Sequence, residues 1–133
     1  MPINGAIIKK AATGLTVVGG TDATFNNDGT VIQNGVRIID KSVADFRIRP
    51  QMTLTSKQPT LNNGVTYSRD KRTITISVPK ILADGSTQYN RIRCEREVHP
   101  ESTAAEALDL NMLLGQCLSD SDFSDFWVYG SLL

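Results

Sequence analysis

The chain has 133 residues, 40% hydrophobic and 21% charged, with 14 Lys and Arg balanced by 14 Asp and Glu. That length and mix describe one globular domain with a real core and exclude disordered and fibrous classes. No apolar run approaches the roughly 20 residues of a membrane helix, and Met1-Pro2-Ile3-Asn4-Gly5 lacks the basic start and apolar stretch of a signal peptide, so the expectation is a cytoplasmic protein with no membrane partner.

Taken in order, Ala6–Lys10 and Leu15–Val18 around Ala12-Thr13-Gly14 read as a short N-terminal hairpin ending at Gly19-Gly20. Thr21 to Gly29 is polar and rich in Asn and Asp, which predicts a loop. Thr30–Gln33 and Val36–Ile39 flank Asn34-Gly35, a type I′ hairpin signal that also fits a kink in an edge strand. From about Asp45 to Ser56 side chains alternate: Phe46, Ile48, Met52 and Leu54 on one face, Arg47, Arg49, Gln51, Thr53 and Thr55 on the other. Pro50 lacks a backbone donor and predicts a bulge there.

The stretch Lys57 to Tyr67, with Pro59, Asn62, Asn63 and Gly64, reads as a connection into the most regular strand, Lys71–Lys80. Ile74, Ile76 and Val78 share one face of it and Thr73, Thr75 and Ser77 the other, with Pro79 ending regular pairing. Ile81 to Asn90 is a loop or loosened hairpin. Arg91 to Val98 alternates again, Ile92, Cys94 and Val98 against Arg91, Arg93 and Glu95. The period then changes. Thr103-Ala104-Ala105-Glu106 has capping-box spacing, and a helix from about Ala104 to Leu118 follows. Ser119–Asp122 stops it and starts a shorter helix, Asp122 to Tyr129, closed by Gly130.

Charge is divided along the chain. Residues 1–96 hold all 14 Lys and Arg with 7 acidic residues; residues 97–133 hold the other 7 acidic residues and no Lys or Arg. A basic strand region and an acidic helical tail point to a polyanion on the strand side; solvated charge without a partner is the plain alternative. A sheet of about five strands offers an apolar face of about 800 Å², whereas the two helices cover only about 330 Å². The uncovered remainder marks an interface, so an interlocked dimer is expected, with Leu110, Leu114, Leu118, Phe123, Phe126 and Trp127 at the contact; a monomer roofed by the N-terminal hairpin is the alternative.

Enzymatic chemistry finds no support. His99 stands alone beside Pro100, no nucleophile has a base, no carboxylate pair shares a motif and no Gly-rich loop precedes a helix. Cys94 and Cys117 have no CxxC spacing and read as small packing residues, and neither a metal nor a cofactor is expected.

Antiparallel strands followed by two helices, with Lys71-x-Thr73-Ile74-x-Ile76-x-Val78-Pro79-Lys80 before a Gly-containing loop and another polar-faced strand, resemble the coat proteins of the small single-stranded RNA bacteriophages, the leviviruses. The resemblance implies an α+β fold over the whole chain: hairpin at 1–20, sheet at 30–99, two helices at 103–130. It also implies dimers that build an icosahedral virion in the bacterial cytoplasm, and an inner sheet that binds a hairpin of the RNA genome, packaging it and repressing translation. By position, Lys71, Thr73 and Thr75 match the central RNA contacts, Thr53, Thr55 and Lys57 the preceding strand, and Arg91, Arg93 and Glu95 the next. Arg47 and Arg49 join them on the polar face read from the alternation, and Tyr89 or Tyr67 reads either as a base-stacking ring or as an ordinary surface or packing tyrosine. The connection 58–68 is longer than in that family, the preceding strand is richer in arginine, and the chain ends in Ser131-Leu132-Leu133 in place of a tyrosine. A cellular RNA- or peptide-binding dimer that forms no shell is the competing reading.

Overall fold

In the computed structural model, residues 5–62, 64 and 66–132 are described. Met1–Asn4, Asn63, Val65 and Leu133, which belong to the hairpin, the long connection and the C-terminal tripeptide discussed above, lie outside them. Residues 20–100 form one unit, and residues 1–19 with 101–133 form another.

The first unit is a five-stranded antiparallel sheet in the order β1-β2-β3-β6-β7. Its strands are β1 (Phe25–Asn27), β2 (Gly35–Asp40), β3 (Gln51–Lys57), β6 (Asp70–Ile81) and β7 (Thr87–Val98). Between β3 and β6 the chain makes a separate two-stranded ribbon, β4 (Leu61–Asn62) with β5 (Thr66–Tyr67), so the long connection is itself a small hairpin. The odd-numbered residues of β3, β6 and β7 share one face and the even-numbered ones the other, because each strand pairs in the register that keeps the alternation intact.

Several expectations are corrected. The alternation from Phe46 to Arg49 is not strand: Asp45 accepts a hydrogen bond from the Arg47 N–H and caps a 3₁₀ turn, Phe46–Ile48, and β3 begins only after Pro50. The Asn/Asp-rich loop contains β1. Asn34-Gly35 joins no hairpin of Thr30–Gln33 with Val36–Ile39, since β2 pairs with β1 and β3. Ile32 to Gly35 is a tight turn, closed by the Gly35 N–H on the Ile32 carbonyl, with Asn34 at φ 57°. Gly35 is required by the closeness of β3: a Cβ there would lie 2.6 Å from the Leu54 carbonyl oxygen. Pro79 does not end the ladder, which runs on to Ile81 opposite Thr87. Beyond Ser77, β6 has lost β3 as a neighbour, so a missing N–H on that open side is tolerated.

The second unit contains α1 (Ala104–Ser119), a 3₁₀ turn (Ser121–Phe123) and α2 (Ser124–Tyr129). Thr103 caps α1 by accepting from the Glu106 N–H, and Gly130 closes α2 at φ 69°. Among the described residues the N-terminal hairpin does not form; residues 7–11 are instead a strap tied to α1 and the 3₁₀ turn after it. The N–H groups of Ile7, Lys9 and Ala11 donate to side-chain oxygens of Asp122, Gln116 and Asp109 at 3.0, 2.9 and 2.9 Å. Gln116 also donates to the Lys9 carbonyl at 2.9 Å. These bonds take the backbone groups that a ladder to Leu15–Val18 would have used. Gly115 leaves room for Leu15, whose side chain occupies the place a Cβ would fill. Replacing Gln116 by alanine strips both partners from Lys9, and the strap should lose about 1–3 kcal/mol. Amide hydrogen exchange at Lys9 and Ala11 should accelerate accordingly; unchanged protection would show that Gln116 does not hold it.

Candidate nucleic-acid interface

Pairing across β2, β3, β6 and β7 assembles one polar face row by row. Arg37, Thr53, Thr75 and Arg93 lie across from one another; Gly35, Thr55, Thr73 and Glu95 form the next row, and Lys57, Lys71 and Glu97 the next. On the other side of the first row stand Gln51, Ser77 and Arg91. Nine of the expected contact residues, Thr53, Thr55, Lys57, Lys71, Thr73, Thr75, Arg91, Arg93 and Glu95, therefore converge on this surface. Tyr89 shares it, opposite Pro79, whereas Tyr67 belongs to the small ribbon.

Arg47 and Arg49 are not on the ladder. The Arg47 guanidinium is held by Asp45 at 2.8 Å, and Arg49 Nε donates to the Val43 carbonyl at 2.7 Å. Each is tied to its own loop. Arg37, in contrast, was not among the expected contacts and joins the face; its place after Gly35 in the odd-numbered series is the signal. It is partly occupied by Asp28 at 2.6 Å. The Thr30 N–H, and then Arg37, hold the Asp28 carboxyl below the usual carboxylate range.

Lys57 and Lys71 face each other across β3 and β6, which would be unfavourable without a counter-charge. Glu97 supplies it, 3.1 Å from the Lys71 ammonium, with Glu95 at 3.9 Å. The Glu97 hydrogen bond, helped by the Glu95 charge, raises the Lys71 pKa above its ordinary value. Lys57 has no such partner opposite it. A shallow hollow of about 430 Å³ opens here, lined by Asn34, Thr55, Lys57, Lys71 and Thr73 among others. Hydroxyls and an amide flanked by two ammonium groups suit a phosphate with a base or ribose beside it.

The opposite face carries Val36, Leu54, Ile74 and Cys94 in one row and Ile38, Met52, Ile76 and Ile92 in the next. It remains wet: Ile74 and Ile92 are each 42% exposed, and Val98 is the only buried apolar residue among those described. On α1, Leu110, Leu114 and Leu118 recur every four residues and are exposed by 45, 40 and 42%. Trp127 is half exposed, its indole N–H on the Cys117 carbonyl at 2.8 Å and its ring edge-on to Phe126. Phe123 and Phe126 are half-buried, as are the free thiols Cys94 and Cys117. Among the described residues, no group of three or more His, Cys, Asp or Glu is placed to hold a metal ion, and no helix is long and apolar enough to cross a membrane.

No protein-family model matches the sequence, and no curated protein sequence does. Solved structures do match. The virus-like particle of bacteriophage AVE019 contains a chain of the same fold at TM-score 0.66 and 15% identity, covering 86% of this chain and 90% of that one. That of Beihai levi-like virus 21 gives 0.58 and 14%, over 86% and 98%. The virus-like particle of bacteriophage GQ-907 gives TM-score 0.92 and 35% identity over 98% of this chain and 99% of that chain. With more than a third of residues identical along both chains, and the strand order and terminal helices in common, this protein belongs to the coat-protein family of the levi-like RNA bacteriophages.

Proposed function

We propose that the protein is a structural coat subunit that dimerises, assembles into an icosahedral shell and holds single-stranded RNA against the polar face of its sheet. The observation that carries this reading is the whole-length similarity to a subunit of the GQ-907 virus-like particle. Two features of this chain support the finer parts. Its accessible surface is 10112 Å². A folded monomer of 14.5 kDa is expected to expose about 6,900 Å². The excess, about 3,000 Å² per chain, is well above the roughly 800 Å² per partner of a standard interface and leaves room for an obligate contact. Leu110, Leu114, Leu118 and Trp127, together with the Ile74 and Ile92 face, are the apolar groups available for such contacts.

For RNA, the polar face offers Arg37, Lys57, Lys71, Arg91 and Arg93 against Glu95 and Glu97, interleaved with threonines. Cations supply phosphate affinity and hydroxyls read bases or ribose. Arg47 and Arg49, tied to their own loop, contribute less. Packaging of the genome, repression of translation by a bound RNA hairpin and assembly in the bacterial cytoplasm are the roles this binding would serve.

Size-exclusion chromatography with electron microscopy tests the reading. The expected result is a particle carrying nucleic-acid absorbance. A species near twice 14.5 kDa, without particles, would replace the shell with a cellular RNA- or peptide-binding dimer.

A further inference from the structure

We propose that Asp28 cancels the charge of Arg37 on the polar face of the sheet, so that this arginine gives RNA recognition a fixed hydrogen-bonding group and little sequence-independent affinity. This rests on the RNA reading above and names the residue that limits the non-specific part of it.

The register builds the pair. β1 runs antiparallel to β2 with Asn27 opposite Ile38, and the Asp28 N–H continues that pairing by donating to the Arg37 carbonyl at 3.3 Å. Asp28 and Arg37 are therefore cross-strand neighbours, a position in which opposite charges attract. Just past β1 the chain turns. The Gly29 N–H donates to Asn27 Oδ1 at 2.7 Å and the Thr30 N–H to Asp28 Oδ1 at 2.8 Å, with Gly29 at φ 84°. A carboxylate that accepts from the N–H two residues on is fixed by its own backbone. Its second oxygen, Oδ2, accepts from Arg37 Nε at 2.6 Å, and Thr30 Oγ1 accepts from Arg37 Nη2 at 2.7 Å. Asp28-Gly29-Thr30 thus supplies both acceptors that hold the guanidinium.

The grip leaves the arginine reachable. The Asp28 side chain is 11% exposed and that of Arg37 is 36% exposed. Two of the five guanidinium N–H groups are committed, which leaves three that bond to nothing among the described residues. A phosphate or a ribose can still accept from them. What is lost is the electrostatic term: affinity for RNA grows as cations of the protein displace counter-ions from its phosphates, and a guanidinium neutralised by its own carboxylate displaces few. The Thr30 N–H, and then Arg37, hold the Asp28 carboxyl below its usual range, so the cancellation persists into mild acid. Thr53 and Thr75 stand in the same row as Arg37, so at this end of the face hydroxyls that read base or ribose carry the larger share of binding. Lys57, which faces Lys71 across β3 and β6, is the contrasting case of a cation with no carboxylate opposite it.

Fluorescence anisotropy of dimers with fluorescein-labelled polyuridylate, across a salt series, tests this. D28N keeps an acceptor for the Thr30 N–H and removes the charge. It is expected to bind more tightly at low salt and to steepen the slope of log affinity against log salt by about 1.4, two copies at about 0.7 each. In an R37Q background the same substitution should leave the slope where R37Q alone puts it. A D28N slope equal to the parent's would overturn the proposal, and so would weaker binding at an unchanged slope, which would make Asp28 a brace for the turn. Equal steepening with and without Arg37 would show that the carboxylate acts on RNA through its own field, and the pairing would be overturned. D28S, whose hydroxyl can accept from the same N–H, carries the test if D28N yields no dimers. Parent dimers that do not bind polyuridylate, or bind it without salt dependence, would overturn the RNA reading and this inference with it.

Discussion

Substituting Leu114 by aspartate should abolish particles and leave protein that neither dimerises tightly nor scatters as a shell. Leu114 is the middle of the Leu110, Leu114, Leu118 stripe on α1, where three large apolar side chains remain about two-fifths exposed in one chain. The proposed dimer would bury these residues. Losing a buried leucine forfeits about 1.5–3 kcal/mol, and seating an unpaired carboxylate in its place adds a further cost of at least about 1–3 kcal/mol. A two-fold interface contains the substitution twice, so the total is about 5 kcal/mol or more, over three powers of ten in the dimer dissociation constant. Leu114→Met, similar in volume, should retain particles. Chromatography and electron microscopy check both, and normal particle yield from Leu114→Asp would place the stripe on the outside of the assembly.

The same stripe was legible in the sequence because helical spacing fixes which residues share a face, whatever lies against them. The polar face was legible for a similar reason: a period of two survives any change of neighbour, so Thr73, Thr75, Arg91 and Arg93 fall together once the strands pair in phase. Arg47 and Arg49 show where the argument fails. Phe46-Arg47-Ile48-Arg49 alternates as well as any strand, but Asp45 offers a carboxylate to the Arg47 N–H and Pro50 removes a ladder donor, so the backbone turns before the strand starts. Local hydrogen bonding outcompeted periodicity there.

The N-terminal hairpin failed for a different cause. Its first arm forms no strand, and the hydrogen-bond partners of its N–H groups are Asp109, Gln116 and Asp122, about a hundred residues away. Nothing within residues 5–18 signals that competition. Pro79 was misread because the cost of a missing N–H depends on whether a neighbouring strand is present. β3 stops at Gln51 opposite Ser77, two residues short of it.

RNA affinity measured by fluorescence anisotropy on dimers should fall steeply with salt, and Lys57→Ala should flatten that dependence more than Lys71→Ala does. Each ammonium that neutralises a phosphate on a single strand contributes about −0.7 to the slope of log affinity against log salt. Two copies per dimer make the loss for Lys57 about 1.4. Lys71 is already compensated by Glu97 at 3.1 Å and Glu95 at 3.9 Å, so less of its charge is available to a phosphate and its removal should change the slope by less. Thr73→Val or Thr75→Val provides the contrast. Each keeps shape and charge while deleting a hydroxyl on the same face, so the slope should hold while affinity falls by about 1 kcal/mol, roughly fivefold, wherever that hydroxyl touches a base or ribose. Equal slopes for Lys57→Ala and the parent protein would remove Lys57 from the phosphate contacts. An altered slope in the threonine variants would mean that they perturb the sheet itself and not a single hydrogen bond.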